Sequence, residues 1–252
     1  LEAIAAAKAQ IEQRAAERFA KEQQAYEEKL SARKAKEKER GKKPKGPPPK
    51  PPEPGPKSKD QVNLTDSDSR IMPSQGGGFE QAYNGQAAVD IESMLIVENH
   101  ITQQSNDKLE VTPAVENLSR LPDKLGTVDT LLADAGYFST DNVEKCETND
   151  VVPYIAVERQ RHNTPLQDRF TEPEPLTGTA DSVMEMKHRL KTIAGKAVYA
   201  KRKCTVEPVF GIIKAAMGFR QFLLRGLDRV AGEWDLACIA YNIKRLYVLN
   251  SS

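Results

Sequence analysis

The stretch TVDTLLADAGYFSTDNVEKCETNDVVPYIAV, residues 127–157, decides the fold. Its first third carries a short apolar run that stops at Asp134, a length suited to a buried strand and too short for a helix. Ser139 then stands where a helix N-cap is wanted, ahead of the helical spacing of STDNVEKCETND, because its hydroxyl can take an orphan N–H of the first turn. VVPYIAV closes the unit as a second strand. Strand, helix and strand in this order predict a parallel pair, with Asp134 at the carboxyl end of its first strand. Open α/β sheets gather their functional groups at that end. An acid followed by Gly136 also fits a plain turn, so Asp134 needs a partner before it means more.

Upstream, FEQAYNGQAAVDI and MLIVENHIT read as two strands of a hairpin turning at Glu92 and Ser93, and DKLEVTPAVENLSRL reads as a helix capped by Asn106 or Asp107. Residues 1–41 hold good helix formers and no proline. Ile4, Ile11, Phe19, Tyr26 and Leu30 give them only a thin apolar stripe, so a long charged helical arm leaning on a partner is expected. Residues 42–60 are rich in proline and lysine, which predicts an extended, solvated tether. Residues 61–252 hold the α/β domain.

The charge is zoned. Lys and Arg number 16 against 10 acids over 1–60, 8 against 20 over 61–180, and 13 against 6 over 181–252. A basic arm and a basic last third around an acidic middle point to an anionic partner such as nucleic acid. Cys146, Cys204 and Cys238 show no metal or disulfide spacing, and neither do His100, His162 and His188, so a reducing cytoplasm is expected. No apolar run approaches 18 residues, so the expectation is a protein without a membrane anchor.

In YAKRKCTVEPVFGIIK, residues 199–214, one acid follows a cluster of bases and precedes a proline. If Thr205 caps a fresh helix, Pro208 falls in its first turn, where a missing N–H costs nothing. Lys214 then follows Glu207 by two turns on one face, while Val206, Phe210 and Ile213 face the sheet. Two carboxylates, Asp134 and Glu207, suit a Mg²⁺ site, with Tyr199, Lys201, Arg202, Lys203 and Lys214 gripping phosphates nearby. The rival reading is a solvated basic helix with Glu207 paired to Lys203. For the last apolar stretch, Trp234, Leu236, Ala237, Ile239, Ala240, Ile243 and Leu246 suggest one broad buried face.

The segments NLTDSDSRIM, QAYNGQAAVD, LLADAGYFS and YAKRKCTVEPVFGIIK, with GFRQFLLRGL and EWDLACIAYNIKRL, together resemble the catalytic domain of DDE transposases of bacterial insertion sequences, of the IS-four-type superfamily. The resemblance runs from about residue 61 to the end of the chain. It implies a ribonuclease-H-like core with three metal-binding acids, of which Asp134 and Glu207 match the second and third. It also implies Mg²⁺, with Mn²⁺ as substitute, and double-stranded DNA, both element ends and target, as partner. An enzyme of this kind cleaves and transfers DNA strands, acts as a homo-oligomer, and works in the bacterial cytoplasm at the nucleoid. The family's Y-x2-R-x3-E-x6-K signature fits Tyr199, Arg202, Glu207 and Lys214, except that four residues separate Arg202 from Glu207. Either Arg202 or Lys203 fills the basic position.

The first acid of the family pattern has no clear match. Asp66 and Asp68 lie in a polar stretch, and Asp90 ends what reads as the second strand of the fold. The expectation is therefore that strand one and its Asp lie upstream of Leu1, with arm and tether inserted between strands one and two. Such a chain would hold two of three metal ligands and be inactive alone, a DNA-binding remnant. Asp90 as the third ligand, or a related Mg²⁺ nuclease, are the alternatives.

Overall fold

The computed structural model describes residues 1–42, 46–74, 76–158, 170–176 and 178–251. The chain divides into two compact units, residues 1–71 and 72–252.

In the first unit the expected arm is one helix, α1 (Glu2–Arg40), ended by Gly41 in the left-handed region at φ 61°. That is the usual glycine stop, because a side chain is disfavoured there. The proline-rich segment is not a free tether. It runs back along α1: Arg33 donates to the Gly46 oxygen at 2.7 Å, Lys57 approaches Glu22 at 3.4 Å, and Arg18 reaches Gly55 and Asp60. Arg18 holds Asp60 through both guanidinium nitrogens, at 2.8 and 2.9 Å. α1 thus leans on the chain's own proline segment, through these polar contacts of its arginines and Glu22. The boundary between units falls within a short strand, β1 (Arg70–Pro73).

The second unit is mixed α/β. The expected single strand over FEQAYNGQAAVDI is broken at Tyr83 into β2 (Phe79–Ala82) and β3 (Asn84–Val89). β3 pairs antiparallel with β4 (Ile96–Thr102), with a bulge at Ala88/Val89. The hairpin turn spans Asp90 to Leu95. Asp90 clamps it by accepting from the Ser93 N–H at 2.7 Å and the Ser93 hydroxyl at 2.6 Å, while Met94 takes φ 58°. Asn106 caps a single 3₁₀ turn, Asp107–Leu109, before α2 (Val111–Leu118). Pro113 sits in the first turn of α2, where no donor is missed.

β5 (Thr130–Ala133), α3 (Thr140–Thr148) and β6 (Val152–Ile155) form the expected unit. Ser139 accepts the Asn142 N–H at 3.1 Å, and β5 pairs parallel with β6 in the register Thr130↔Val152 to Ala133↔Ile155. Val143, Cys146 and Ile155 are fully buried beneath it. Neither β3 nor β5 has a second strand partner among the described residues.

Two helices then cross the unit, α4 (Ser182–Arg189) and α5 (Ile193–Gly211). The expected fresh helix start at Thr205 is not there. α5 begins at Thr192, whose hydroxyl takes the Gly195 N–H at 2.9 Å, and runs unbroken through Thr205 and Pro208. Thr205 instead turns its hydroxyl back onto the Lys201 carbonyl at 2.7 Å, as threonines within helices do. Pro208 lies inside the helix, which removes one backbone donor there. Just beyond, Ile212–Ala216 widens into a π turn, with the Met217 N–H reaching the Ile212 oxygen at 2.9 Å. The last helix is α6 (Leu227–Asn250). Trp234 anchors it, stacked near Phe210 and Phe219 with its indole N–H donated to the Gln86 oxygen at 2.9 Å. Only Trp234 and Ala237 of the seven residues assigned to its buried face are buried; Val230, Cys238 and Tyr241 complete that face, and Leu236, Ile239, Ile243 and Leu246 point outward.

Candidate active site

β5 delivers Asp134 to its carboxyl end, where the side chain caps the one-turn helix Ala135–Tyr137 by accepting the Gly136 N–H at 2.8 Å. That use of Oδ1 fixes the carboxylate without exhausting it, and the side chain stays half exposed. A Cβ at 136 would lie 3.0 Å from Asp134 Oδ1, close enough to press on the carboxylate that the Gly136 N–H holds. The other oxygen, Oδ2, faces Arg202 Nη1 at 3.8 Å.

Tyr199 and Arg202, three residues apart, share one face of α5. The Tyr199 hydroxyl donates to the Ala133 carbonyl at 3.3 Å, and the Arg202 guanidinium sits 5.8 Å from the Tyr199 ring centre. Burial pushes the Tyr199 phenol above its ordinary value, with Asp134 adding to the shift and Arg202 opposing it. The pair therefore brackets the last residue of β5 and its acid. Arg202 Nε is buried without a hydrogen-bond partner among the described residues.

Of the two candidates for the basic position, Arg202 is the one beside Asp134, and Lys203 is exposed. Glu207 stands five residues beyond Arg202, about 140° further round the helix. It is exposed and forms no ion pair with Lys203 among the described residues. Lys214 lies in the wide turn, exposed, with its ammonium 5.8 Å from the Phe210 ring centre. The structure thus gathers Asp134, Tyr199 and Arg202, and leaves Glu207, Lys203 and Lys214 on the solvent side.

A cavity of about 880 Å³ opens beside this group, walled by Gln86–Ile91 of β3 and its turn, Leu95–Glu98 of β4, Thr127–Asp134 around β5, and Arg202, Thr205 and Val206 of α5. On its wall His100 lies between two acids, Nδ1 at 2.8 Å from Glu98 and Nε2 at 2.9 Å from Glu110. Burial opposes charge on His100, but the two carboxylates outweigh it and raise its pKa. Both ring nitrogens are engaged, so this group is no metal site, and no cluster of three His, Cys, Asp or Glu that would hold an ion occurs among the described residues. Asp90 is occupied in its turn: burial raises its pKa, yet the Ser93 hydrogen bonds prevail and lower it. His188 donates its Nε2–H to the Glu174 carbonyl at 2.8 Å, and His162 lies outside the described residues.

Sequence reasoning missed a polar network behind Asp134. Asp107 Oδ1 accepts from Asn84 at 2.7 Å and from Gln86 at 3.0 Å, and Tyr137 donates its hydroxyl to Gln86 Oε1. Asp107 Oδ2 is 3.6 Å from the position a Gly136 Cβ would take, so it borders the same turn. Burial, with Asp107 and Asp134 close by, pushes the Tyr137 phenol far up. The signal was present in the two polar residues, Asn84 and Gln86, at period two on a strand whose next residues are Ala-Ala-Val.

A family model described as "Transposase DDE domain" matches residues 54–243. No curated protein and no solved structure matches the chain. No helix among the described residues is long and apolar enough to cross a membrane.

Proposed function

Because the chain belongs to the transposase DDE domain family, DNA is the partner its family implies, and we propose that it is an insertion-sequence transposase of the IS-four type with a ribonuclease-H-like core. The observation that carries this reading is Asp134 at the carboxyl end of a parallel strand, bracketed by Tyr199 and Arg202. The reaction is cleavage and transfer of DNA strands by in-line phosphoryl transfer.

DDE transposases generally use divalent metals, and we assign Asp134 and Glu207 to Mg²⁺, with Mn²⁺ as substitute. The donor chemistry fits, since half-exposed carboxylates suit a hard cation. The count and the placement do not, because the described residues offer no three-acid cluster and Glu207 stands on the solvent side of α5, apart from Asp134. When bound, such an ion supplies Lewis acidity and a more acidic water. The chain's own residues do the rest. Gly136 holds the Asp134 carboxylate in one orientation. Arg202 neutralises it at 3.8 Å and stands ready to meet a phosphate, while exposed Lys203 and Lys214 add positive charge where a DNA backbone would run. The third carboxylate we place on a further strand seated in the 880 Å³ cavity, beside the edges of β3 and β5 that have no second strand partner among the described residues.

The shortfall in acids favours a second reading, a DNA-binding chain without catalysis. Nicking of supercoiled plasmid in Mg²⁺ or Mn²⁺, with Asp134→Ala and Glu207→Ala as controls, separates the two. Nicking lost in both variants supports the enzyme and a complete site. DNA binding without nicking supports the second reading, and nicking that survives Asp134→Ala refutes the site assignment.

A further inference from the structure

The charge of the arm is concentrated at one end. Residues 29–50, the last turns of α1 and the start of the proline segment, hold ten Lys and Arg against two acids, whereas residues 1–28 hold four against six. Three of those four bases are already engaged: Lys8 faces Glu12 at 3.9 Å, Arg14 donates to the Ser67 carbonyl, and Arg18 holds Asp60. At the tip, Lys29, Lys34, Lys36, Lys38, Lys42 and Lys50 are exposed, and none forms an ion pair among the described residues. Arg33 holds the Gly46 carbonyl at 2.7 Å and the Pro47 carbonyl at 3.2 Å, so the proline segment is tied back to the helix where the lysines gather. Lys29 to Lys38 span about 14 Å of helix, with Lys29 and Lys36 on one side and Lys34 and Lys38 on the other. Like charges one turn apart destabilise a helix, so the cluster carries a repulsion that a polyanion would relieve.

What the tip lacks selects the partner. No Phe, Trp or Tyr occurs between Tyr26 and Phe79, so nothing there can stack on an unpaired base as single-strand binders do. Leu30 is the only large aliphatic residue of 29–50, too little to bury in a lipid surface or to anchor a protein partner. Eight of the ten bases are lysines, compact point charges that attract phosphate but lack the fork that reads guanine edges. Duplex DNA presents one phosphate per about 1.7 Å of axis, twice the density of a single strand. We propose that the exposed lysines at the tip of the arm form a sequence-independent binding surface for the phosphate backbone of double-stranded DNA. The tip lies wholly outside residues 54–243, so the family match does not assign it. The proposal rests on the transposase reading only in taking DNA as the polyanion that the chain meets.

Anisotropy of a labelled random-sequence duplex, titrated with the whole chain between about 50 and 200 mM KCl, counts the phosphates neutralised, because log affinity falls with log salt by about 0.9 per contact. Lys34→Gln/Lys36→Gln/Lys38→Gln, which keeps good helix formers, should flatten that slope by about 2.7, so the parent should lose about 40-fold more affinity than the variant across this range. The same loss of charge at the root, Lys8→Gln/Lys21→Gln/Lys59→Gln, should leave the slope unchanged, and Lys34→Arg/Lys36→Arg/Lys38→Arg should restore it. Far-UV circular dichroism checks that the helix persists. Lys29→Gln/Lys42→Gln/Lys50→Gln, with two of its positions beyond the end of α1, is the second variant and should flatten the slope likewise. Duplex binding whose slope neither tip variant alters overturns this proposal and leaves the transposase reading standing, whereas a chain that binds no duplex overturns both. Tighter binding to phosphatidylglycerol vesicles than to duplex, or an effect of the tip variants on single-stranded DNA alone, also overturns it.

Discussion

Two glycines of α5 should answer the same substitution with opposite signs. A Cβ on Gly195 would stand 1.8 Å from the Arg189 carbonyl oxygen, 2.8 Å from its carbon and 2.9 Å from Thr192 Oγ1. To reach even the 3.0 Å that real Cβ atoms respect, the carbonyl must retreat by 1.2 Å, the difference between 3.0 and 1.8. It is not free to do so, because Arg189 ends α4, donates to the Pro153 carbonyl at 3.0 Å, and follows a fully buried Met186. Helix propensity favours Ala over Gly by up to ~1 kcal/mol, but overpacking against fixed backbone costs about 1–3 kcal/mol and at times more. At this separation the upper end applies, so Gly195→Ala should lose about 2 kcal/mol. Gly211, at the other end of the helix, has helical dihedrals of −60° and −44° and open space around its Cβ position. Gly211→Ala should gain about 0.5–1 kcal/mol. Urea unfolding followed by the fluorescence of Trp234, the single tryptophan, measures both. A Gly195→Ala chain as stable as the parent would falsify the close α4–α5 junction, and with it the placement of Tyr199 under the Ala133 carbonyl.

Two further outcomes are expected. His100 has a raised folded pKa, so its contribution to stability is full below the unfolded value of about 6.5 and fades as pH rises through the folded value. The difference in Tm between parent and His100→Gln should therefore shrink as pH is raised past about 6.5, and a difference that grows would contradict the Glu98–His100–Glu110 geometry. Burial pushes the Cys146 thiol up to about 11 and the Cys238 thiol up to about 12, while Cys204 is exposed. A thiol reagent should label one cysteine in the native chain and all three after unfolding; rapid labelling of two or more native thiols would refute the burial.

The parallel unit was legible because its signals are local. Ser139 needs only the next three residues to act as a cap, and the apolar runs on either side have strand length. Thr205 misled for the same reason. A hydroxyl before a proline reads as a helix start, yet Thr192 is a cap too, and thirteen residues earlier it wins because α5 packs along its length against β3 and β5. The face of α6 was illegible from periodicity alone, since apolar residues on two sides carry no single phase. At the site, Asp134 could be picked from its place after a strand. The Asp107, Asn84, Gln86 and Tyr137 network joins residues 84 to 137 and has no spacing to recognise. Arg202's approach to Asp134 depends on the rotation of a helix 68 residues away in sequence, which no local pattern encodes.

The wide turn at Ile212–Ala216 bears on how this chain tolerates changes of length. A π turn holds one residue more than an α turn of the same span, so a one-residue deletion there can be absorbed by reverting to ordinary helix before the loop that follows Met217. The same deletion between Tyr199 and Arg202 would turn the arginine by about 100° and carry it off Asp134. Gaps and insertions in this last third should therefore be sorted by position: length is negotiable after Gly211 and rigidly set before Thr205.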